Sequence, residues 1–163
     1  MTPPDAERAT RRARQRATLR RPADPPAHSF PLRVYFEDTD AGGMAYYANY
    51  LRWAERARTE ALRDAGLPHQ QMLEQHNSIL VVRRVDVEYW RPARLDDLLS
   101  VETRVLAVKG VTIALDQRMV LDGALLAAMR VDLACVDRDT LRPRRIPEPW
   151  RSVLGGIPAA PEL

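Results

Sequence analysis

The chain has a single cysteine, Cys135, in 163 residues. One thiol excludes an intrachain disulfide and a cysteine metal cluster. Its neighbours Ala134 and Val136 predict a packed side chain rather than a reactive one. No apolar run approaches the roughly 20 residues of a bilayer-crossing helix. The first residues are polar and charged, without the apolar stretch of a secretory signal. Together these absences predict a reducing compartment, the cytoplasm. The histidines His28, His69 and His76 lack metal-ligand spacing, and His69 and His76 fit the surface of a short helix. Asp38-x-Asp40-x-Gly42 begins like a calcium loop, but Asn49 stands where the bidentate glutamate belongs. No metal and no cofactor are expected. The 7 glycines make neither G-x-G-x-x-G nor a phosphate-binding loop. None of Ser29, Ser78, Ser100 and Ser152 sits in a G-x-S-x-G elbow, which argues against that kind of serine hydrolase.

What is present is one domain's worth of chain, 45% hydrophobic and 29% charged. The net charge of +3 is unevenly spread. Residues 1–30 hold Arg8, Arg11, Arg12, Arg14, Arg16, Arg20 and Arg21 against Asp5, Glu7 and Asp24, which leaves the body near neutral. That stretch has almost no large apolar side chains and reads as a flexible leader. Its charge suits peripheral contact with an acidic membrane surface; a solvated extension is the plainer reading. No nucleic-acid partner is expected.

The body is organised by its hydrophobic period. Residues 31–36 predict a first strand. The turn-rich EDTDAGG follows, and then the period changes. Tyr50, Trp53, Ala54, Ala57, Ala61 and Ala65 recur at helical spacing. Gly66 is placed to terminate that helix, with Pro68 beyond it, so one amphipathic helix is predicted over 48–65. A short helical piece is predicted over 68–75. Alternation then predicts four strands in succession: around 84–89, 101–105, 111–121 and 125–135. Asp122-Gly123 is a two-residue hairpin signal between the last two. A meander of this kind is antiparallel, which makes the fold α+β with the helix on one sheet face. The uncovered face and edges predict a homo-oligomer. The proline-rich segment 142–163 leaves room for one helical turn near Trp150.

The chemistry-bearing stretch is Asp38 to Tyr50. It places a carboxylate, Asp40, in a glycine-containing loop just before a long helix. The first amides of a helix lack internal partners and carry partial positive charge. They can stabilise an oxyanion while a carboxylate attacks a carbonyl or activates water. The same pattern also serves as a plain helix cap or turn.

Residues 33–67, RVYFEDTDAGGMAYYANYLRWAERARTEALRDAGL, resemble the 4-hydroxybenzoyl-CoA thioesterase family of hotdog-fold proteins. Within it the likeness is to the YbgC-type acyl-CoA thioesterases associated with the Tol-Pal system. It continues through 81–99 and 134–147, giving a domain over 31–147, a leader over 1–30 and a tail over 148–163. The resemblance implies a five-stranded antiparallel sheet wrapped on one long helix, assembled as homodimers or homotetramers. It also implies hydrolysis of acyl-CoA to free acid and coenzyme A. The family's catalytic aspartate falls on Asp40, and its oxyanion-donating amide on Tyr47, with Gly43 in the binding loop. Many YbgC-type members carry histidine where this chain has Tyr47, so an imidazole proton shuttle is not available here. Asp38 reads as a loop organiser, and Asn49 and Tyr50 as residues that orient the helix start. Glu60 is the reserve acid, expected to pair with Arg56 or Arg63. Lys109, Arg144 and Arg145 are candidate contacts for coenzyme A phosphates. An acyl carrier protein is a further candidate partner. Two other readings compete: a non-catalytic acyl-CoA or carrier-protein binding module or envelope scaffold, and a hotdog dehydratase. The dehydratase needs a catalytic histidine that this motif does not contain.

Overall fold

The computed structural model describes residues 27–155. Residues 1–26 of the flexible leader expected over 1–30, and residues 156–163 of the predicted tail, lie outside them; residues 28–30 of that expected leader are instead part of the first strand, paired with Thr103, Glu102 and Val101. Five strands and three helices follow one another as β1 (His28–Arg33), α1 (Asn49–Asp64), α2 (His69–His76), β2 (Ser78–Tyr89), β3 (Leu98–Lys109), β4 (Thr112–Leu121), β5 (Ala124–Asp137) and α3 (Trp150–Gly155). All pairings are antiparallel, and the order across the sheet is β1-β3-β4-β5-β2.

The four later strands are not a simple meander. Strands β3, β4 and β5 run as consecutive hairpins, but β2 lies beside β5 at the far edge rather than beside β3. Alternation marks a strand's two faces and says nothing of its neighbour, so this pairing is a tertiary outcome. The β4–β5 turn is the one Asp122-Gly123 predicts: both residues have left-handed φ, +49° and +76°, as a tight hairpin with native twist requires. The first strand begins three residues earlier than its hydrophobic run and stops at Arg33. The Asp38 carboxylate accepts the Tyr35 amide at 2.8 Å and turns residues 36–38 into a 3-10 helix, which removes Tyr35 and Phe36 from the strand.

Helix α1 ends in a Schellman motif. Gly66 sits at φ +74°, its amide donates to Arg63 O and the Leu67 amide donates to Leu62 O, both at 2.9 Å. Leu62 and Leu67, which hold the motif's two apolar positions, are both buried. The N-terminal half of the predicted face, Tyr50, Trp53, Ala54 and Ala57, is buried on the sheet. The face does not continue as a packed surface: Ala61 and Ala65 border a cavity instead.

One polar residue joins helix to sheet. Gln117 shares the core-facing parity of Ile113, Leu115 and Met119 and is fully buried. Its amide nitrogen donates to Ala54 O and to Thr103 Oγ1, both at 2.9 Å, and its oxygen accepts from Arg58 Nη1 at 2.8 Å. All of its strong polar atoms are thus partnered, which a buried amide needs to avoid a cost of about 1–3 kcal/mol. The predicted tail also enters the core. Trp150 is fully buried and donates its indole N–H to Leu67 O at 3.0 Å, with Leu154 buried one turn later. Cys135 is buried as expected, and burial pushes its thiol pKa up.

Candidate active site

The loop between β1 and α1 is knotted by its own backbone. The Asp40 amide donates to Met44 O at 2.9 Å, and the Gly43 amide returns to Asp40 O at 3.0 Å. Gly43 sits at φ +70°, a conformation that costs an L-residue roughly 1–2 kcal/mol. Asp38 organises the rest, as the sequence predicts: its carbonyl accepts the Tyr46 amide at 2.8 Å and the Asn49 side-chain amide at 2.9 Å. The β2–β3 connection anchors the loop from outside. Ala93 O accepts the Ala45 amide at 2.8 Å, the Ala93 amide donates to the Tyr50 hydroxyl at 2.8 Å, and Arg94 Nη1 reaches Gly43 O at 3.3 Å.

Within this frame one oxygen of Asp40 is used. Its Oδ1 accepts the Gly42 amide at 2.8 Å, while Oδ2 has no protein partner among the described residues. A Cβ on Gly42 would stand 3.0 Å from Oδ1. Gly42→Ala is therefore expected to push the carboxylate aside by a few tenths of an ångström. Displacements of reacting groups on the ångström scale cost about 100-fold in rate, so kcat should fall about tenfold with the melting temperature unchanged. Steady-state kinetics and a thermal melt check this pair of outcomes.

Helix α1 starts without a side-chain cap. Its N-cap residue is Ala48, which has no oxygen to offer. The Tyr47 amide donates to no acceptor among the described residues. Tyr89, which sequence reasoning treated only as a strand residue, donates its hydroxyl to Tyr47 O at 3.0 Å and packs edge-on against Tyr50. It thereby orients the peptide that enters the helix. The Tyr46 hydroxyl pKa is raised, chiefly by its hydrogen bond to Tyr47, with the negative charge of Asp40 adding to the effect. It remains a neutral phenol beside the carboxylate.

The other predicted residues are distributed differently. Glu60 pairs with Arg63, one of the two expected partners, about three turns into α1 from Asn49. Arg144 is tied to Asp137 at 3.0 Å and to His76 O at 2.8 Å. Lys109 and Arg145 are exposed in the same region, where the Ile146 amide binds Gly110 O. That region lies at the far end of β3 from the loop, about 36 Å along the strand. In one chain Lys109, Arg144 and Arg145 therefore do not converge with Asp40. Arg91 and Arg94 are exposed in the connection that holds the loop. His69 and His76 lie on α2, yet both are half-buried. Burial lowers the His69 pKa, and His76 stacks edge-on against Trp150 at 5.5 Å.

Known proteins share this fold and much of this sequence. A model of the thioesterase-like superfamily matches residues 34–154. The acyl-CoA thioesterase YbgC of Haemophilus influenzae is 47% identical over 120 residues, which are 74% of this chain and 88% of that protein. The acyl-CoA thioester hydrolase YbgC of Escherichia coli is 42% identical over 73% of this chain and 89% of its own length. Among solved structures, a probable thioesterase from Bartonella henselae superposes with a TM-score of 0.72 at 33% identity, covering 75% of this chain and all of that one. A Synechocystis thioesterase at 20% identity shares the fold, with a TM-score of 0.73. By sequence and by fold, this chain belongs to the thioesterase-like superfamily, in its YbgC branch.

Proposed function

We propose that the chain hydrolyses an acyl-CoA thioester to the free acid and coenzyme A, with Asp40 as the reacting carboxylate. The observation that carries this reading is a carboxylate with one free oxygen in the loop that leads into an uncapped helix start. The thioester carbonyl accepts from the Tyr47 amide, which offsets negative charge developing on its oxygen. Asp40 either attacks the carbonyl carbon, giving an anhydride that water opens, or takes a proton from the water that attacks. In both routes the carbon–sulfur bond breaks and the electron pair leaves on sulfur. A thiol pKa of about 8.5 makes that thiolate a good leaving group, so no dedicated acid is required. An acyl carrier protein presents the same kind of thioester and is a second donor for the same site.

A panel of acyl-CoAs, aromatic and aliphatic, with released thiol as the readout, tests the reading. Turnover of at least one is expected; a panel left intact overturns it. Single turnover in heavy-oxygen water separates the two routes, since label in the Asp40 carboxylate marks the anhydride.

The site is built for a second copy. The loop and the strand ends framing it expose Phe36 at 81% and Tyr47 at 61%, with Met44, Tyr46 and Trp90 also exposed. Strand β2 forms one edge of the sheet with no further strand beside it among the described residues. Exposed edges and apolar patches of this size are covered in stable proteins. A homodimer, or a homotetramer built from it, covers both. Sedimentation analysis at micromolar concentration should show no monomer; a monomeric boundary would sink this part of the proposal.

A further inference from the structure

One cavity among the described residues is remote from the Asp40 loop. It holds about 600 Å³ between the C-terminal half of α1 and the sheet, with α2 and α3 at its margin. That volume is in the range of small-molecule sites, roughly 300–1,000 Å³. No residue of the loop 38–47 borders it. Its sheet wall is mostly aliphatic, with Leu80, Val105, Leu115 and Leu133 from four strands; on the helical side the small residues Ala61 and Ala65 stand among Glu55, Arg58 and Asp64, and Asp64 is held by His28 at 2.8 Å.

One feature of this wall is out of keeping with an apolar void. Arg58 lines the cavity, and burial pushes its guanidinium pKa down from the ordinary value. Its hydrogen-bond partner is neutral, the Gln117 oxygen at 2.8 Å, and Gln117 is itself fully buried and locked by Ala54 O and Thr103 Oγ1. No carboxylate of the described residues lies within ion-pair distance of Arg58. Glu55, one turn earlier and also on the rim, accepts instead from the Thr59 hydroxyl at 2.7 Å. His69 on the same rim has its pKa lowered by burial, which favours the neutral imidazole. The charge of Glu55 acts on this guanidinium without touching it, so its direct partner is neutral and its face on the cavity has room for an anion in contact. A carboxylate matches its planar fork, and an aliphatic chain matches the walls.

We infer that this cavity is a second ligand site, which takes an aliphatic monocarboxylate with its head on Arg58 and its chain among the sheet side chains. It is separated from the catalytic loop by the nine steps of α1 from Asn49 to Arg58, about 13 Å of helix. A monocarboxylate is the chemical class of the acid released in the proposed reaction, so a product can occupy the chain away from Asp40. The binding itself does not depend on that reading.

Titration calorimetry of the full-length protein with decanoate, kept below its micelle concentration, tests the inference without any turnover. One decanoate per chain is expected, with decanol at least about tenfold weaker because it leaves the guanidinium unpaired. Arg58→Gln should weaken decanoate by about tenfold or more and leave decanol unchanged. Ala61→Phe, which fills the cavity from the helix without altering Arg58, should abolish both and covers the case in which Arg58→Gln does not fold. Asp40→Asn should bind decanoate like the wild type. Absence of decanoate binding overturns the inference, as it would if a second copy or another segment filled the cavity. So does equal binding of decanol, or loss of binding in Asp40→Asn, which would place the ligand at the catalytic loop. Failure of the thioesterase reading alone would leave all of these titrations unchanged.

Discussion

Asp40→Asn is expected to lower kcat for acyl-CoA hydrolysis by about 1,000-fold, the order carried by a positioned base or nucleophile. The substitution is nearly isosteric. The asparagine oxygen can still accept the Gly42 amide, so the loop keeps the hydrogen bond that Oδ1 makes at 2.8 Å. What is lost is the charge on the second oxygen, the one left free for chemistry. The amide neither attacks a thioester carbonyl at a useful rate nor removes a proton from water. KM should change little, because the Tyr47 amide and the rest of the binding surface remain. The melting temperature should stay within a degree or two of the wild type, since the side chain is exposed. A variant with kcat within tenfold of the wild type would move the chemistry away from Asp40. Glu60 is a poor substitute, being paired with Arg63 well along α1.

Trp150→Ala carries the largest expected loss of stability, about 3–5 kcal/mol. The indole is fully buried at the start of α3, between α2 and the end of α1. Removing it opens a cavity and leaves Leu67 O without its 3.0 Å donor. For a domain of this size that corresponds to a fall in melting temperature of about 10–20 °C. Trp150→Phe keeps most of the ring volume and loses the N–H, so it should cost only about 1–2 kcal/mol. Thermal denaturation of the two variants separates packing from hydrogen bonding. If Trp150→Ala melts with the wild type, the chain beyond β5 is a dispensable tail, as its proline content suggests.

That contrast shows where local pattern stops being informative. Proline-rich sequence predicts irregular chain, and residues 142–149 are irregular. Burial of Trp150 is decided by a surface formed by residues some 80 positions earlier. The same holds for β2. Its alternation is plain, yet its place beside β5 depends on which edge the β3–β4–β5 hairpins leave open. Gln117 is a third instance. It stands in a run of apolar residues at the right parity, and only the nearness of Ala54, Thr103 and Arg58 explains how its amide is satisfied.

The site divides in the same manner. The Asp38–Tyr50 motif placed Asp40, Gly43 and Tyr47 in one loop-to-helix junction, because neighbours in sequence are neighbours in space. Its outer supports come from elsewhere, Tyr89 from the end of β2 and Ala93 and Arg94 from the connection after it; the resemblance over 81–99 includes them without saying that they meet the loop. Lys109, Arg144 and Arg145 are candidates for their charge and their places after strands, and neither says whether they share an end of the sheet with Asp40. Strand length then carried them to the opposite end of the sheet.

What the sequence alone determined about this chain is the set of elements, the caps and turns that end them, and the acidic loop before an amphipathic helix. Each of these rests on interactions within a few residues, and periodicity or a single glycine is enough to specify them. The tertiary structure alone decided the strand order, the entry of Trp150 into the core, the clamp on the Asp40 loop and the cavity beside Arg58. These depend on contacts between residues tens of positions apart. Their free energy is realised only when all the elements pack at once.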